Sequence, residues 1–467
     1  MKKIDSNAFR KLINDTEVAI MGIPTKQSLN YMPYGSAIRD YLYGKAVELL
    51  GTGGYEKVLL SDLIEPTSLD EIDKISKISN GYMKLEDKNL MIAAGHEVNA
   101  YIYIKNLLKH HYDNVNLPLR IYNFGTVYRT NKNTKFPFNL GERKSFLECY
   151  SVFKTSEEAA KELEFATGWN RKIIKDILHI PSIEVVRPIS TNKKISKKTI
   201  CIDSITPLDE TVITGMTYFH DDIFTKAIGV TYKDQVNNKN KLAYSTHFGL
   251  SENILFSYLL NSCDGEHLRL YSFLAPIQVS IINLTNDENS NNKIYELTNI
   301  LKKENIRYRI EERVGKKINS TVLRNNRMGV PICLIIKSDQ EGTKIYCQHD
   351  GNHKIIYNSS DPNINIPSIL DVIKDLLLKN DLEITKDMLL KEKDSIIPCS
   401  KTDDLNYIIK SGKVAKIFLE NTDERVRQAE SYLTGGEVLG FDLKEEEGED
   451  ILTHSKVKSL AYVSRRS

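Results

Sequence analysis

Residues 117–159 read LPLRIYNFGTVYRTNKNTKFPFNLGERKSFLECYSVFKTSEEA. The first part of this stretch is apolar and aromatic with partial alternation, and a polar segment separates it from the second apolar run, SFLECYSVF, at 145–153. Two such runs joined by a long polar connection predict a pair of antiparallel strands. The following segment, 157–178, has amphipathic spacing and predicts a long helix.

Upstream of this pair, helical and extended patterns alternate. Residues 36–50 (SAIRDYLYGKAVELL) have apolar positions at helical spacing, and three glycines within 51–54 end that helix. The segment EKVLLSDLI at 56–64 predicts a short buried strand, and EVNAYIYIKNLLKHHY at 97–112 predicts another helix. The N-terminal part of the chain is therefore expected to mix helices with an antiparallel sheet.

The pattern changes near residue 276. PIQVSIINL predicts a strand, NKIYELTNILKKENI a helix, YRIEER a strand, and PSILDVIKDLLLKN a closing helix at 367–380. Strands that alternate with helices indicate an α/β unit of about 100 residues with a mainly parallel sheet. We expect three units, at 1–272, 273–378 and 379–467, the last of them a small mixed module.

Composition places the chain among globular proteins. Apolar residues make up 41% of its 467 residues and charged residues 27%, which excludes a disordered chain. The net charge of +2 gives no global basic field. The six cysteines are scattered without a C-x-x-C pair, no apolar run reaches about 18 residues, and the N-terminus resembles a helix start rather than a signal peptide. These features predict a cytoplasmic protein with no membrane partner.

Four segments resemble a known family in the correct order. Residues 117–159 are similar to motif 2 of class II aminoacyl-tRNA synthetases, in the prolyl subgroup, and 246–282 resemble motif 3 leading into the anticodon-binding domain. MPYGSAIRDYL at 32–42 resembles the segment before motif 1. The C-terminal pattern, closing in SLAYVSRRS, looks like the small extension of archaeal and eukaryotic prolyl enzymes. This resemblance spans nearly the whole chain.

The resemblance implies an α+β fold. Its parts would be a class II antiparallel sheet flanked by helices, an α/β anticodon-binding domain and a small α+β module. It also implies a homodimer formed through motif 1, where Ser61 replaces the family's proline. Family members bind ATP with Mg²⁺ and proline, form prolyl-adenylate and transfer proline to tRNA. Arginines and metal must stabilise the charge that develops at the α-phosphate.

The nucleotide motifs are altered. By resemblance, Arg129 in VYRT is the catalytic arginine that grips the α-phosphate, and Asn131 replaces a glutamate that helps to hold ATP. In motif 3, GLSEN places Glu252 and Asn253 where the family has a small hydroxyl residue and an arginine that stacks on adenine. A carboxylate repels a triphosphate and asparagine supplies no cation. The resemblance therefore implies ATP and Mg²⁺, whereas motif 3 argues against their normal use.

The amino-acid pocket is retained in outline. The family's T-S-E segment corresponds to GHE at 95–97, so Glu97 is positioned to bind an ammonium group, while His96 either contacts ligand or caps a helix. In ITGMTYFH, Thr217 and His220 match the family and Thr214 replaces a glutamine. We expect a pocket for proline or a related amino acid.

The anticodon-binding segment keeps only part of its pattern. Lys317 matches a family lysine, and Asn326 replaces the glutamate before the family's G-x-P. A basic segment surrounds them: Arg307, Arg309, Arg313, Lys316, Lys317, Arg324 and Arg327. These residues are candidates for tRNA contact, and the alternative is a solvated face.

The C-terminal module lacks the family's metal ligands. The positions aligned with the four cysteines hold Leu419 or Glu424, Val438, Asp450 and Thr453. No other cysteine and histidine set has the spacing of a zinc site. The sequence therefore predicts no zinc and no metal site, and a module that folds by its own core.

Three functions stay open at this point. The first is a diverged paralogue with reduced, lost or redirected adenylation, a pseudoenzyme that binds an amino acid or a partner protein. The second is an active ligase that forms an aminoacyl-adenylate with proline or a relative and charges tRNA or another acceptor. The third is a non-catalytic RNA-binding protein. Several changes at ATP-contacting positions favour the first.

Overall fold

The structure is a computed structural model. It describes residues 5–25, 28–76, 78–86, 88–110, 116–128, 143–189, 194–234, 236–311, 318–340, 342–349, 352–359 and 366–466. Five predicted site residues lie outside these ranges: Arg129, Asn131, Arg313, Lys316 and Lys317.

The helices predicted near 36–50, 97–112 and 157–178 are present, and the described chain has further helices. The described α-helices are Ser6–Asp15, Pro33–Leu50, Asp70–Asp73, Glu97–His110, Ser156–Arg171, Ile223–Ile228, Asn253–Ser262, Glu288–Lys303, Ile318–Arg327, Ile366–Ser395, Thr402–Lys410 and Asp423–Ser431. The helix Ser156–Arg171 continues into a π-helical turn, Lys172–Ile177.

The strands of the N-terminal unit are β1 (Ala19–Met21), β2 (Leu29–Tyr31), β3 (Glu56–Lys57), β4 (Leu63–Ile64), β5 (Met83–Lys84), β6 (Met91–Ile92), β7 (Leu119–Tyr128), β8 (Arg143–Phe153), β9 (Ser182–Val186), β10 (Lys198–Ile205), β11 (Thr211–Asp221), β12 (Thr231–Lys233), β13 (Asn240–Leu242) and β14 (Tyr244–Ser251). The remaining strands are β15 (Val279–Asn283), β16 (Tyr308–Glu311), β17 (Ile332–Asp339), β18 (Gly342–His349), β19 (Asn352–Asn358), β20 (Ile396–Pro398), β21 (Val414–Phe418), β22 (Glu437–Asp442), β23 (Gly448–Glu449), β24 (Lys456–Val457) and β25 (Leu460–Ser464).

One large sheet organises the molecule. Its strand order is β20-β21-β25-β22-β9-β10-β11-β14-β8-β7-β3, and the pairs from β22 to β7 are antiparallel. The predicted pair of strands is β7 and β8, with Leu119 opposite Val152 and Tyr128 opposite Arg143. The α+β class with a central antiparallel sheet is confirmed.

The two faces of this sheet differ in polarity. Leu147, Phe248 and Leu250 lie on one face in a buried cluster with Trp169 of the helix Ser156–Arg171. The Trp169 indole N–H also donates to the Ala46 carbonyl at 3.1 Å, which joins this helix to Pro33–Leu50. Because side chains alternate along a strand, the intervening residues of β8 and β14 face the other side, where the site lies.

The segment 56–64 does not form the single buried strand that its apolar pattern predicts. Two short strands, β3 and β4, flank a turn in which the Leu63 amide donates to the Ser61 hydroxyl at 3.1 Å. This local side-chain bond competes with strand pairing. Ser61, at the expected motif 1 position, is exposed.

The second sheet is mixed rather than mainly parallel. Its order is β16-β15-β17-β18-β19, and β15 is parallel to both β16 and β17, whereas β18 and β19 pair antiparallel. The short connections after β17 and β18 suit hairpins and are too short for a helical crossover. The predicted boundary between residues 378 and 379 lies within the helix Ile366–Ser395.

The C-terminal module continues the large sheet. Strand β22 pairs with β9, placing Phe441 opposite Val186. At this junction the buried Arg187 forms an ion pair with Asp203, with Nη2 2.6 Å from Oδ1, and Arg187 also donates to the Leu439 carbonyl. The module has its own buried cluster, which includes Leu405, Ile417, Leu419, Val438, Val463 and Phe441.

Asp450 connects two loops of this module. Its buried carboxylate accepts backbone N–H bonds from Glu420 at 2.7 Å, Leu452 at 2.8 Å and Thr453 at 3.0 Å. Burial alone would raise the pKa of Asp450, but these bonds outweigh it and the pKa lies below its ordinary value. A charged side chain thus joins the segments where the resemblance implies zinc ligands.

Candidate amino-acid pocket on the central sheet

A cavity of about 310 Å³ opens on the polar face of the large sheet. Strands β8, β11 and β14 form its floor, and the start of the helix Glu97–His110 forms one wall. Its lining includes Glu97, Lys144, Phe146, Glu148, Thr214, Tyr218, His247, Glu252 and Asn253.

Strand register places the floor residues together. On β14, His247 lies opposite Tyr150 of β8 and opposite Tyr218 of β11. Its imidazole is stacked between these two rings, with centroid distances of 4.6 Å to Tyr150 and 5.6 Å to Tyr218. Directly opposed residues of neighbouring strands share a face, so these side chains meet on the cavity side.

Carboxylates and imidazoles alternate along the base of the cavity. His96 Nε2 lies 3.0 Å from Asp62 Oδ1, and His96 Nδ1 lies 3.3 Å from Glu148 Oε2. The other Glu148 oxygen is 3.9 Å from His247 Nε2, and His247 Nδ1 is 2.7 Å from Glu97 Oε1. This row of acid–imidazole contacts crosses the base of the cavity.

The neighbouring carboxylates raise the pKa values of His96 and His247. Burial lowers the pKa of His96, but the hydrogen bonds and charges of Glu148 and Asp62 outweigh it and leave the pKa raised. Burial likewise opposes protonation of His247, and the charges of Glu97 and Glu148 raise its pKa above the ordinary value. The cavity base therefore has negative potential and favours a bound cation.

His220 also lies on the cavity side of the sheet, where a β-bulge places it. A bulge in β11 between Phe219 and Asp221 turns its side chain towards Glu97, with Nε2 4.0 Å from Glu97 Oε1. The Nδ1 atom lies 2.7 Å from the Ile195 carbonyl. Burial lowers the pKa of His220 to about 4, so the ring is neutral near pH 7.

The predicted pocket residues are only partly brought together. Glu97 and Thr214 line the cavity, and His96 lies behind Glu148, fully buried. Thr217 lies on the opposite face, where its hydroxyl accepts a 3.1 Å hydrogen bond from Asn170 of the long helix. Its strand partner is Phe248, a core residue, and the two must share that face.

Sequence reasoning missed Glu148 and His247. The signal for Glu148 was an acidic residue within the apolar run SFLECYSVF. His247 lies six residues before Asn253, inside the stretch that resembles motif 3, and carries no spacing signal of its own. Their pairing depends on strand register.

Glu252, one of the two altered motif 3 residues, is bonded to neighbouring side chains and backbone. The Glu252 carboxylate accepts hydrogen bonds from the Tyr31 hydroxyl at 2.7 Å and from the Ser145 amide at 3.2 Å. It also lies 3.5 Å from Nε of Arg39, whose guanidinium is 4.6 Å from the Phe124 ring centre. These contacts partly neutralise the charge of the carboxylate at the motif 3 position.

The other motif 3 residue, Asn253, begins the helix Asn253–Ser262. Its side-chain amide donates to the Ile213 carbonyl at 3.1 Å. Asn253 therefore lines the cavity with an amide that is already bonded to the neighbouring strand.

The basic segment of the second sheet contacts the N-terminal unit. Arg324 Nη2 lies 2.7 Å from Glu17 Oε1, and Arg327 Nη1 lies 3.9 Å from Asp15 Oδ2. Arg307 donates to the Ser272 carbonyl at 2.7 Å, and its guanidinium lies 4.3 Å from the centre of the Tyr41 ring. Asn326, half-buried in the helix Ile318–Arg327, lies between these arginines in sequence.

Comparison with known proteins gives a consistent result. No protein-family model matches the chain. The chain is 24% identical over 462 residues to the proline–tRNA ligase of Methanopyrus kandleri, covering 95% of this chain and 91% of that protein. It is 25% identical over 483 residues to the proline–tRNA ligase of Methanobrevibacter smithii, covering 98% of each chain.

Solved structures have the same fold. Prolyl-tRNA synthetase from Giardia lamblia, in complex with prolyl-adenylate, superposes with a TM-score of 0.87 at 18% identity, covering 99% of this chain and 98% of that one. The Cryptosporidium parvum enzyme, complexed with halofuginone and AMPPNP, gives a TM-score of 0.84 at 17% identity, covering 100% and 99%. Over nearly its whole length the chain is therefore similar in sequence to archaeal proline–tRNA ligases, and it has the fold of the prolyl-tRNA synthetases of Giardia lamblia and Cryptosporidium parvum.

Proposed function

We propose that the chain is a diverged paralogue that retains an amino-acid pocket and has reduced, lost or redirected adenylation. The observation that carries this proposal is the contrast between the two ends of the cavity. Glu97 and Glu148 provide negative charge at one end, while Glu252 and Asn253 occupy the motif 3 positions at the other.

The acidic end suits an amino acid. An ammonium group is stabilised by carboxylates in a partly buried cavity, and Glu97 lies at its wall with 23% of its side chain exposed. The Tyr218 and Phe146 rings add apolar surface for a compact side chain such as the proline ring. Charge and apolar surface together favour proline or a related amino acid.

The described residues that line the nucleotide end include few cations. Among the described lining residues, Lys144 is the single lysine or arginine. An adenylate-forming site needs several positive groups to stabilise the charge that develops on the phosphate. Asn253 cannot supply that charge, and its amide already donates to Ile213.

The alternative is an active ligase that uses ATP and Mg²⁺ to activate proline or a relative for tRNA or another acceptor. Lys144 favours this alternative because it adds a positive charge to the cavity lining. The solved relatives named above are complexed with prolyl-adenylate and with AMPPNP. Under this alternative Arg129, which lies outside the described residues, is the catalytic arginine.

A purely RNA-binding function has less support. Arg307, Arg324 and Arg327 contact the N-terminal unit, so their charges are partly used within the chain. Exposed cations are what an RNA backbone requires. tRNA binding through Lys317, Arg313 and Asn326, the homodimer through motif 1, a partner protein and the cytoplasmic location stay predictions.

Across the part of the chain that the structure describes, no helix has both the length and the apolarity needed to cross a bilayer.

Isothermal titration calorimetry tests the proposal. Proline, other cyclic imino acids and the remaining amino acids are titrated into the purified chain, and AMPPNP is titrated separately with Mg²⁺. We expect saturable binding of one amino-acid class that Glu97→Gln weakens at least about tenfold through loss of the charged contact. We expect no saturable AMPPNP binding. Tight AMPPNP binding favours the active ligase, and absence of any amino-acid binding overturns the pocket.

A further inference from the structure

Three side chains from distant parts of the sequence converge at the inner wall of the cavity. They are Glu97 at the start of its helix, His220 in the β11 bulge and His247 on β14. One oxygen or nitrogen atom from each lies within 4.8 Å of the other two. Two imidazoles and one carboxylate are a ligand set that binds zinc in proteins.

The hydrogen bonds of His220 define which nitrogen is available. Nδ1 lies 2.7 Å from the Ile195 carbonyl, an acceptor, so Nδ1 carries the proton and donates it. Nε2 then has the lone pair and points towards Glu97, 4.0 Å away. The Nε2 atom is fully buried and has no hydrogen-bond partner among the described residues. A buried polar atom without a partner costs free energy, and a metal ion would satisfy it.

Outer contacts orient the other ligands. Nδ1 of His247 faces Glu97 at 2.7 Å, and its Nε2 faces Glu148 at 3.9 Å. His96 in turn contacts Glu148 and Asp62. Carboxylates that orient a histidine from its far nitrogen are typical second partners of metal sites. Glu97 and Glu148 also give the site two negative charges to balance a dication.

We propose that Glu97, His220 and His247 bind a divalent transition metal of the zinc type, with an open coordination position facing the cavity. The proposal rests on the proposed amino-acid pocket, because Glu97 and His247 line it while His220 lies behind them. Metal–ligand bonds of about 2.0–2.1 Å place tetrahedral ligand atoms about 3.4 Å apart. The 2.7 Å and 4.0 Å separations bracket that distance, so small side-chain shifts complete the site.

The open position gives the metal a role in recognition. A site with three protein ligands keeps a fourth position for water or substrate. The amino group of a bound amino acid is a suitable fourth ligand once it has lost its ammonium proton. The sequence predicts no metal site, and the proposal departs from that prediction because positions 97, 220 and 247 have no ligand spacing along the chain.

Equilibrium dialysis tests the site without ATP or amino acid. Tag-free, full-length chain is dialysed against Zn²⁺ and its metal content is measured, and Co²⁺ is then used to record ligand-field absorption. We expect one equivalent of zinc and a tetrahedral cobalt spectrum. Glu97→Gln and His247→Gln should bind at least about tenfold more weakly. The matched control is His267→Gln, an imidazole that pairs with Asp264 on the surface at 3.1 Å.

The results of this experiment test the zinc site independently of the proposed amino-acid-binding function. Zinc binding that Glu97→Gln leaves unchanged, or that His267→Gln removes, overturns the proposal, as does a wild-type chain that binds no zinc. If His247→Gln fails to fold, Glu97→Gln decides alone, since its side chain is partly exposed and keeps its volume. Because no nucleotide or amino acid is present, failure of the proposed function leaves this result unaffected.

Discussion

The Tyr31 hydroxyl donates a 2.7 Å hydrogen bond to Glu252 and so joins strand β2 to the end of β14. Burial, followed by the charge of Glu252, raises the pKa of Tyr31, so the phenol stays protonated and remains a donor. Arg39 lies 3.5 Å from the same carboxylate. The residue that stands at the motif 3 position is therefore part of a small network that holds the N-terminal hairpin against the central sheet.

Restoring the family residues at motif 3 should increase nucleotide affinity. In Glu252→Thr combined with Asn253→Arg, a carboxylate is removed and a guanidinium is introduced beside the cavity. We expect saturable AMPPNP binding by this double variant in calorimetry, where the wild-type chain should show none.

The same pair of substitutions elsewhere provides the control. Glu288→Thr with Asn289→Arg changes two consecutive exposed residues at the start of the helix Glu288–Lys303. Equal nucleotide affinity in the two double variants would contradict the interpretation of motif 3 as the cause of weak binding.

Thr217→Val should affect stability and leave ligand affinity unchanged. Its hydroxyl is buried against Asn170, which keeps its other bond to the Met216 carbonyl at 3.1 Å. The lost hydrogen bond should lower the free energy of unfolding by about 1 kcal/mol, measured by urea denaturation. Amino-acid affinity should stay within about twofold, whereas Thr214→Val at the cavity wall should change it. A large loss of affinity in Thr217→Val would place Thr217 in the pocket after all.

Asp450→Asn should destabilise the C-terminal module. Three backbone N–H groups donate to the buried carboxylate, and hydrogen bonds to charged groups contribute about 1.5–3 kcal/mol each. We expect a loss of about 2 kcal/mol at pH 7, with exposed Glu445→Gln as the control that changes stability little.

The pH dependence of this effect has a defined sign. Because the folded pKa of Asp450 is lowered, its stabilising contribution is complete above the unfolded value of about 3.9 and disappears as the pH falls through the folded value. The stability difference between wild type and Asp450→Asn should therefore shrink below about pH 4. A difference that grows in acid would refute the assignment.

The buried ion pair at the sheet junction should be sensitive to removal of one partner. Arg187→Met leaves Asp203 buried without its cation, and breaking such a pair typically costs about 3–5 kcal/mol. Exposed Arg427→Met, in the helix Asp423–Ser431, is the control. Thermal unfolding monitored by circular dichroism should show a clear loss for Arg187→Met only. Equal melting temperatures would show that the pair does not stabilise the junction.

Local patterns explain what the sequence could predict. The pair β7 and β8 and the helices Pro33–Leu50 and Glu97–His110 follow from periodicity within each segment. The family resemblance predicted Thr217 in the pocket, but the side of the sheet on which a residue lies depends on cross-strand register, which pairs Thr217 with the core residue Phe248. Glu148 and His247 become neighbours only when β8 pairs with β14. The bulge that turns His220 towards Glu97 likewise has no signal in the residues around it.

Amino-acid-dependent ATP–pyrophosphate exchange tests the central claim most directly. The purified chain is assayed with each of the twenty amino acids and with cyclic imino acids, beside Glu97→Gln as the control that impairs the pocket. We predict no proline-dependent exchange above that of Glu97→Gln, because the motif 3 positions supply no cation to the nucleotide. Robust proline-dependent exchange that Glu97→Gln abolishes would contradict the account and establish an active ligase.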